Sequence, residues 1–389
     1  ETQTNPIWNS MINTKYASGY TDITDNFYAE WAVNKSLKFT GRVGFTSILS
    51  SNDNFRPASH TDFVLYSGED IYRKGSYLKG NGRSTSFNTD LGANYSLNFG
   101  KSVLFLNGQW NLSTYVNDNS YVLAEGFPND NMDHIIFATQ YEKNGKPGGS
   151  ESISRSLGGI ISANYSYDNR YLFDANYRIT GSSEFGANNR WGSFWSVGGG
   201  WNVHEEAFLK GNKTINRLKL RVSTGYTGSQ GFNTYQALAT VKYYTTSSYN
   251  GSIGSYLVSL ANPDLQWQKK YDQNVGLDIS LFRNRLSGRF DLYKATTTSM
   301  LTDVTVPQST GFSTYRENLG EAENKGFEGY LNYRIYEDKQ SRSFVNIYTS
   351  VANNVNKINK ISESLKKFND DQDAIKDQTD AQGGKTQLT

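Results

Sequence analysis

The chain has no cysteine in its 389 residues, which excludes a disulfide framework and any thiolate metal site. Proline (6) and methionine (3) are scarce. Long apolar runs are missing too: no stretch approaches the ~20 residues with which a helix crosses a bilayer. That excludes a helical membrane protein but not a barrel, whose strands need an apolar residue only at every second position. Charge of one sign is also lacking. Lys+Arg number 39 against Asp+Glu 37, a net of +2, and with no dense basic patch there is no case for nucleic acid. The start at Glu1 shows no charged, apolar, small-residue leader. The expectation is a mature start or a piece of a longer protein.

What is present is tyrosine (27), phenylalanine (21) and glycine (36), a composition suited to strands and turns. The stretch 164–201 shows how they are used. Tyr171, Phe173, Ala175, Tyr177 and Ile179 alternate with Leu172, Asp174, Asn176, Arg178 and Thr180. Period two over ten residues makes a strand with one apolar and one polar face. The same alternation recurs in Phe87–Phe99, Leu104–Leu112, Leu218–Tyr226, Val275–Leu281, Leu286–Leu292 and Phe327–Ile335. About twelve such strands are expected. Their connections alternate short and long: 34–36, then a polar excursion over 48–83; 100–101, then a loop over 113–152; 168–170, then 181–192; 283–285, then a loop over 296–322. Aromatic residues gather near strand ends, as interfacial girdles do. Two architectures fit alternation alone, a membrane barrel with the apolar face outward and a soluble sandwich with it inward. The short–long rhythm favours the up-and-down barrel. Residues 1–22 read as irregular, 204–216 as room for a helical turn, 237–244 as one more strand and 363–389 as a polar loop or tail.

No catalytic set emerges, so an enzyme is not expected. His60, His134 and His204 lie far apart in loops without metal-ligand spacing, and read as plain surface. SVGGG (196–200) and TGSQG (227–231) do not join a strand to a helix as phosphate loops do. No cofactor or metal is expected. Binding is better served. Aromatic rings cover apolar sugar faces while amides and carboxylates take hydroxyls. Residues 113–152 offer Tyr115, Asn117, Asp118, Asn119, Tyr121 and Asp130; residues 235–256 offer Tyr243, Tyr244, Tyr249 and Asn250. An ordinary polar surface loop, or a contact with a lid protein, is the plainer account of both. Asp174, Asn176, Arg178, Asp278, Arg289 and Asp291 are expected to face the lumen, and inward charges such as Asp174, Arg178, Asp278 and Arg289 to pair across the wall or hold a plug rather than touch cargo.

Several long stretches resemble one family. They are YRITGSSEFGANNRWGSFWSVGGGWNVHEEAFLK (177–210), LKLRVSTGYTGSQG (218–231), NPDLQWQKKYDQNVGLDISLFRNRLSGRFDLYKATTTSML (262–301), VPQSTGFSTYRENLGEAENKGFEGYLNY (306–333) and SVANNVNKINKIS (350–362). Their order and spacing resemble the SusC/RagA TonB-dependent transporters of the Bacteroidetes outer membrane. The resemblance implies an all-β, antiparallel, 22-stranded transmembrane barrel with a plug, energised by the TonB–ExbB–ExbD complex. It further implies a SusD/RagB-like lipoprotein lid, contact with outer-membrane lipid, and glycan or peptide cargo, with glycan oligosaccharides favoured. No TonB box, plug or closing strands stand in this sequence. Residues 1–362 are therefore expected to be the middle part of such a barrel, whose edges need neighbours in lipid. The alternative is a secreted soluble β-sandwich that binds carbohydrate. A repeat-built adhesin would show an internal period, and none is seen.

Overall fold

The computed structural model describes residues 6–143, 145–229, 234–244, 249–338 and 340–361, with 366 and 370. The segment 363–389, expected as loop or tail, lies almost wholly outside them. The elements in order are α1 (Pro6–Met11), β1 (Lys15–Ala32), β2 (Leu37–Arg56), β3 (Ser76–Phe99), β4 (Ser102–Glu125), β5 (Gln140–Tyr141), β6 (Gly148–Tyr167), β7 (Tyr171–Ser182), β8 (Trp191–Asn202), β9 (Ile215–Ser229), β10 (Thr240–Tyr243), β11 (Ser255–Ser259), β12 (Gln268–Leu281), β13 (Leu286–Thr305), β14 (Thr314–Asp338) and β15 (Ser343–Lys360).

Twelve long strands form one antiparallel meander in the order β1-β2-β3-β4-β6-β7-β8-β9-β12-β13-β14-β15. The two-residue β5 adds to β4, and β10–β11 is a separate hairpin. Each strand expected from alternation is one of the twelve, and the further strand expected over 237–244 is β10 of the hairpin. Sequence neighbours pair throughout the main path, the topology of an up-and-down wall. The strands β1 and β15 are its two edges, each hydrogen-bonded on one side only among the described residues.

Register carries each face across the sheet, because directly opposed residues in an antiparallel pair point the same way. One row runs Tyr165–Phe173–Gly199–Val222–Val275–Leu292–Phe327. Another, of the opposite sense, runs Lys38–Asn94–Asn107–Ser162–Asn176–Ser196. The apolar rows are left uncovered: Leu91 and Trp110 are 58% exposed, Ile161 65% and Leu292 62%. A soluble sandwich would bury such a face under a second sheet, and the only other sheet described is the short β10–β11 hairpin. A continuous exposed apolar band of this size belongs against lipid.

The connections at one end are 33–36, 100–101, 168–170, 203–214, 282–285 and 339–342; at the other end they are 57–75, 126–147, 183–190, 230–267 and 306–313. The short–long rhythm holds on average, yet 203–214 is longer than 183–190. The turn at Asp168–Asn169 has φ of 52° and 54°, and the Arg170 N–H donates to the Tyr167 carbonyl at 2.9 Å. That is the twist-matched hairpin turn favoured by Asn and Asp.

Four expected loops are corrected. The segment 1–22 holds α1 and the start of β1, and the excursion over 48–83 shrinks to 57–75. The loop over 113–152 shrinks to 126–147, and that over 296–322 to 306–313. In each case the strand pair continues past the apolar band. Beyond the bilayer both faces meet water, so ladder hydrogen bonds persist while hydrophobic alternation vanishes. Alternation was therefore blind to this part of the strands.

Candidate functional site

The polar face gathers all six residues expected in the lumen. Asp174, Asn176 and Arg178 lie on β7, Asp278 on β12, and Arg289 and Asp291 on β13, and register puts them on one side. Four of the neighbouring charges are wired together. Arg221 Nη2 is 3.0 Å from Asp278 Oδ1 and 3.1 Å from Asp291 Oδ1, and Arg289 Nε is 2.8 Å from Asp291 Oδ2. Arg217 stands 3.7 Å from Asp278. Pairing across strands is thus present for Asp278 and Asp291, while Arg289 pairs along its own strand with Asp291. Asp174 and Arg178 are different: both are exposed and neither has an ion-pair partner among the described residues.

The sugar-binding candidates land on strands rather than in loops. Tyr115, Asn117, Asn119 and Tyr121 are on β4, on the same side as Asn107 and Gln109, whereas Asp118 alternates to the opposite side and is paired in register with Arg83. The Ser84 hydroxyl donates to Asn117 Oδ1 at 2.7 Å. The Tyr121 ring lies over Gly148, where a Cβ would collide with it, and remains 52% exposed. Tyr243 ends β10; Tyr244 packs on Tyr256 with ring centroids 4.8 Å apart. Tyr249 closes the hairpin tip against Ser252 and is 85% exposed. No hydrogen bond or ring contact joins the β4 set to the hairpin set among the described residues.

Sequence reasoning missed the best-built feature, an apolar knot at the long-loop end. Phe185, Phe194, Ala237, Leu265 and Trp267 form a buried cluster with Leu301 beside it. Phe185 stacks on Trp267 at 4.0 Å, and Phe194 meets Trp267 edge-on at 5.6 Å. The stretch 262–267 is bolted from both sides. Asn262 Nδ2 donates to the Arg316 carbonyl at 2.7 Å, and Asn318 Nδ2 donates to the Gln266 carbonyl at 3.0 Å. Asn188 Nδ2 donates to Asp264 Oδ1 at 2.8 Å. Gly186 is required there, since a Cβ would run into the Pro263 backbone. Between this knot and the polar face of β6–β9 lies a cavity of about 550 Å3 that includes Asn176, Arg178 and Phe194. The signal was in the sequence as FGANN and NPDLQW, but nothing local says that the two meet.

His134 is exposed, as expected of a surface histidine, and His204 is half-buried, but His60 is not plain surface, and for it that expectation is corrected. His60 is 6% exposed, and its Nδ1 accepts from the Asp62 N–H at 3.1 Å. His134 Nδ1 accepts from the Ile136 N–H at 3.3 Å. His204 Nδ1 accepts from the Leu218 N–H at 3.3 Å. Each closes a turn. Burial pushes the His60 imidazole below its ordinary pKa, against a smaller opposing pull from Asp62. No group of side chains fit to hold a metal occurs among the described residues.

At the short-turn end, Glu206 accepts from Trp201 Nε1 at 3.0 Å and from the Tyr171 hydroxyl at 2.8 Å. Arg170 bridges it to Asp168, which also pairs with Lys101. Hydrogen bonds from Trp201 and Tyr171 hold the Glu206 carboxyl below the usual carboxylate range. Three turns are thereby tied, with two girdle aromatics oriented at the rim.

One apolar face, one charged and amide-rich face, and an uninterrupted antiparallel meander define the wall of a membrane β-barrel. The chain belongs to the TonB-dependent receptor-like β-barrel family, whose profile matches residues 2–388, and it is of the SusC/RagA type. It is similar to TonB-dependent receptor P39 of Formosa agariphila, 38% identical over 200 residues, 51% of this chain and 19% of that protein. TonB-dependent receptor P3 of the same organism is 29% identical over 313 residues, 79% of this chain and 30% of that protein. TonB-dependent receptor SusC of Bacteroides thetaiotaomicron is 35% identical over 175 residues, 43% and 17% respectively. Among solved structures, the RagAB peptide transporter matches with a TM-score of 0.81 at 25% identity, over 92% of this chain and 38% of that one. The ferric citrate transporter FecA shares the fold alone, with a TM-score of 0.52 at 8% identity over 89% of this chain and 44% of that one. The chain spans less than a third of the length of these curated relatives. They are named as receptors, not enzymes, and the barrels of this family are outer-membrane proteins.

Proposed function

We propose that the whole protein imports oligomeric nutrients across the outer membrane, driven by TonB–ExbB–ExbD and covered by a SusD/RagB-like lipoprotein. In this reading residues 1–362 are a middle part of the barrel wall, and 363–389 are a loop or tail. The edges β1 and β15 pair with further strands, because unpaired backbone is not tolerated in lipid. The long-loop end faces outward and the polar face lines the lumen.

The observation that carries the proposal is the sheet itself. It shows twelve strands with an uncovered apolar face, a wired polar face and elaborated loops at one end. Glycan oligosaccharides are the favoured cargo, because exposed rings at Tyr115, Tyr121, Tyr243, Tyr244 and Tyr249 stand beside amides such as Asn117 and Asn250. Asp118, on the opposite side of β4, contributes to the outer surface. A second reading, peptide cargo, is favoured by the match to a structure named as a peptide transporter.

A strain lacking the gene, with or without the full-length gene restored, tests both. Uptake of labelled oligosaccharide lost on deletion and regained on restoration supports the first reading; the same result with labelled peptide supports the second. Unchanged uptake of every oligomer would sink the import proposal. Copurification of a surface lipoprotein tests the lid.

A further inference from the structure

The cavity under the 262–267 turn has a chemical bias that nutrient import in general does not require. Its walls include Ser156, Asn176, Arg178, Thr180, Phe194 and Trp267. Arg178 is exposed, and no carboxylate lies within ion-pair distance of it among the described residues. Its cross-strand neighbours are Ile160 on β6 and Phe194 on β8, both apolar. With no carboxylate in reach, the guanidinium keeps its donors free for an anion brought into the cavity. The carboxylate nearest on the same face of β7 is Asp174, four residues along, or roughly 13 Å at strand rise.

The remaining groups suit the same guest. Asn176 Nδ2 spends one contact on Ser196 Oγ at 3.3 Å, and an amide keeps a second N–H and its carbonyl for a ligand. Ser156 and Thr180 add hydroxyls. The aromatic side of the cavity is held in place. The Phe194 ring lies across Gly228 and Gly192, where any Cβ would meet it, and the Trp267 Nε1–H donates to the Arg190 carbonyl at 3.3 Å. The cavity therefore offers one unpaired cation, an amide, hydroxyls and a rigid ring surface.

We infer that this cavity is a subsite for a carboxylate-bearing unit of the cargo, with Arg178 as the counter-ion. Planar guanidinium and planar carboxylate meet through two parallel hydrogen bonds. The carboxylate can belong to a uronic acid in an oligosaccharide or to an acidic residue in a peptide. This inference rests on the import reading and narrows its cargo.

The test uses the full-length transporter, purified in detergent and titrated by calorimetry with two matched pairs. One pair is trigalacturonate and its methyl ester; the other is a Glu-containing hexapeptide and its Gln counterpart. In the unmodified protein, one charged probe should bind at least about ten-fold tighter than its neutral partner. Arg178→Gln should erase that preference, Arg178→Lys should retain part of it, and Lys219→Gln, outside the cavity, should leave it intact. The pair that shows the preference identifies the source of the carboxylate. Because the Arg178 side chain is exposed, the variants should keep the heat-dependent gel shift of a folded barrel. Equal binding of charged and neutral partners, or a preference that survives Arg178→Gln, overturns the inference and leaves the import reading standing. Absence of binding by all four probes, together with unchanged oligomer uptake in the deletion strain, overturns both.

Discussion

The guanidinium of Arg221 lies across Gly276: a Cβ at residue 276 would fall 2.5 Å from Arg221 Nη2 and 2.6 Å from Cζ. The glycine is what lets one arginine on β9 reach Asp278 on β12 and Asp291 on β13 together. Gly276→Ala should therefore push Arg221 off both carboxylates and lower stability by about 1–3 kcal/mol. Urea unfolding in lipid vesicles measures it. In an Arg221→Met background the same change should cost much less, since the group it displaces is gone. Equal costs in both backgrounds would mean that Gly276 serves the backbone and not the arginine.

Face assignment is open to direct challenge at neighbouring residues. Tyr177 is 48% exposed on the apolar face, and Asn176 points the other way. Tyr177→Lys should impair assembly in the outer membrane, costing about 2–4 kcal/mol near mid-bilayer, whereas Asn176→Lys should assemble. The heat-dependent gel shift of membrane fractions reads out both. The reverse pattern would turn the strand inside out.

The Asp168–Asn169 turn fixes register between β6 and β7. With φ near 54° at Asn169, Asn169→Val places a branched side chain in the left-handed region. It should cost about 1–2 kcal/mol, while Asn169→Gly should be neutral or mildly stabilising. Refolding yield into vesicles and the urea midpoint report the difference.

At the short-turn rim, acid should undo the ties among Lys101, Asp168, Arg170 and Glu206. The carboxyls of Glu206 and Asp168 are both held below their ordinary pKa, Glu206 by the Trp201 and Tyr171 hydrogen bonds and Asp168 chiefly by the Lys101 hydrogen bond. A depressed folded-state pKa means that the unfolded chain binds protons first. The stabilisation is complete above the ordinary carboxylate range and disappears as pH falls through the depressed values. Glu206→Gln and Asp168→Asn should flatten the acid limb of a plot of unfolding midpoint against pH and leave its neutral region parallel. An acid limb unchanged in both variants would remove the rim from the account.

Much of the wall was legible because a strand with lipid on one side and water on the other writes period two into its residues. Tyr171–Ile179 and Val275–Leu281 are of this kind, and so is the common side of Asp174, Asp278 and Asp291. Tyr115, Asn117 and Tyr121 were legible as chemistry but misplaced as loop, because a strand wet on both faces carries no alternation. His60 misled for a related reason: a buried turn-closing ring looks in sequence like any loop histidine.

The sequence by itself determined the strands, their faces, the tight turns and the family, all of which depend on local period and composition. Only the tertiary structure decided where the strands end. It alone brought Phe185, Phe194 and Trp267 into one knot over Arg178, and it alone seated Arg221 on Gly276. Those outcomes depend on which distant segments touch. Contacts between residues dozens of positions apart leave no periodic trace along the chain.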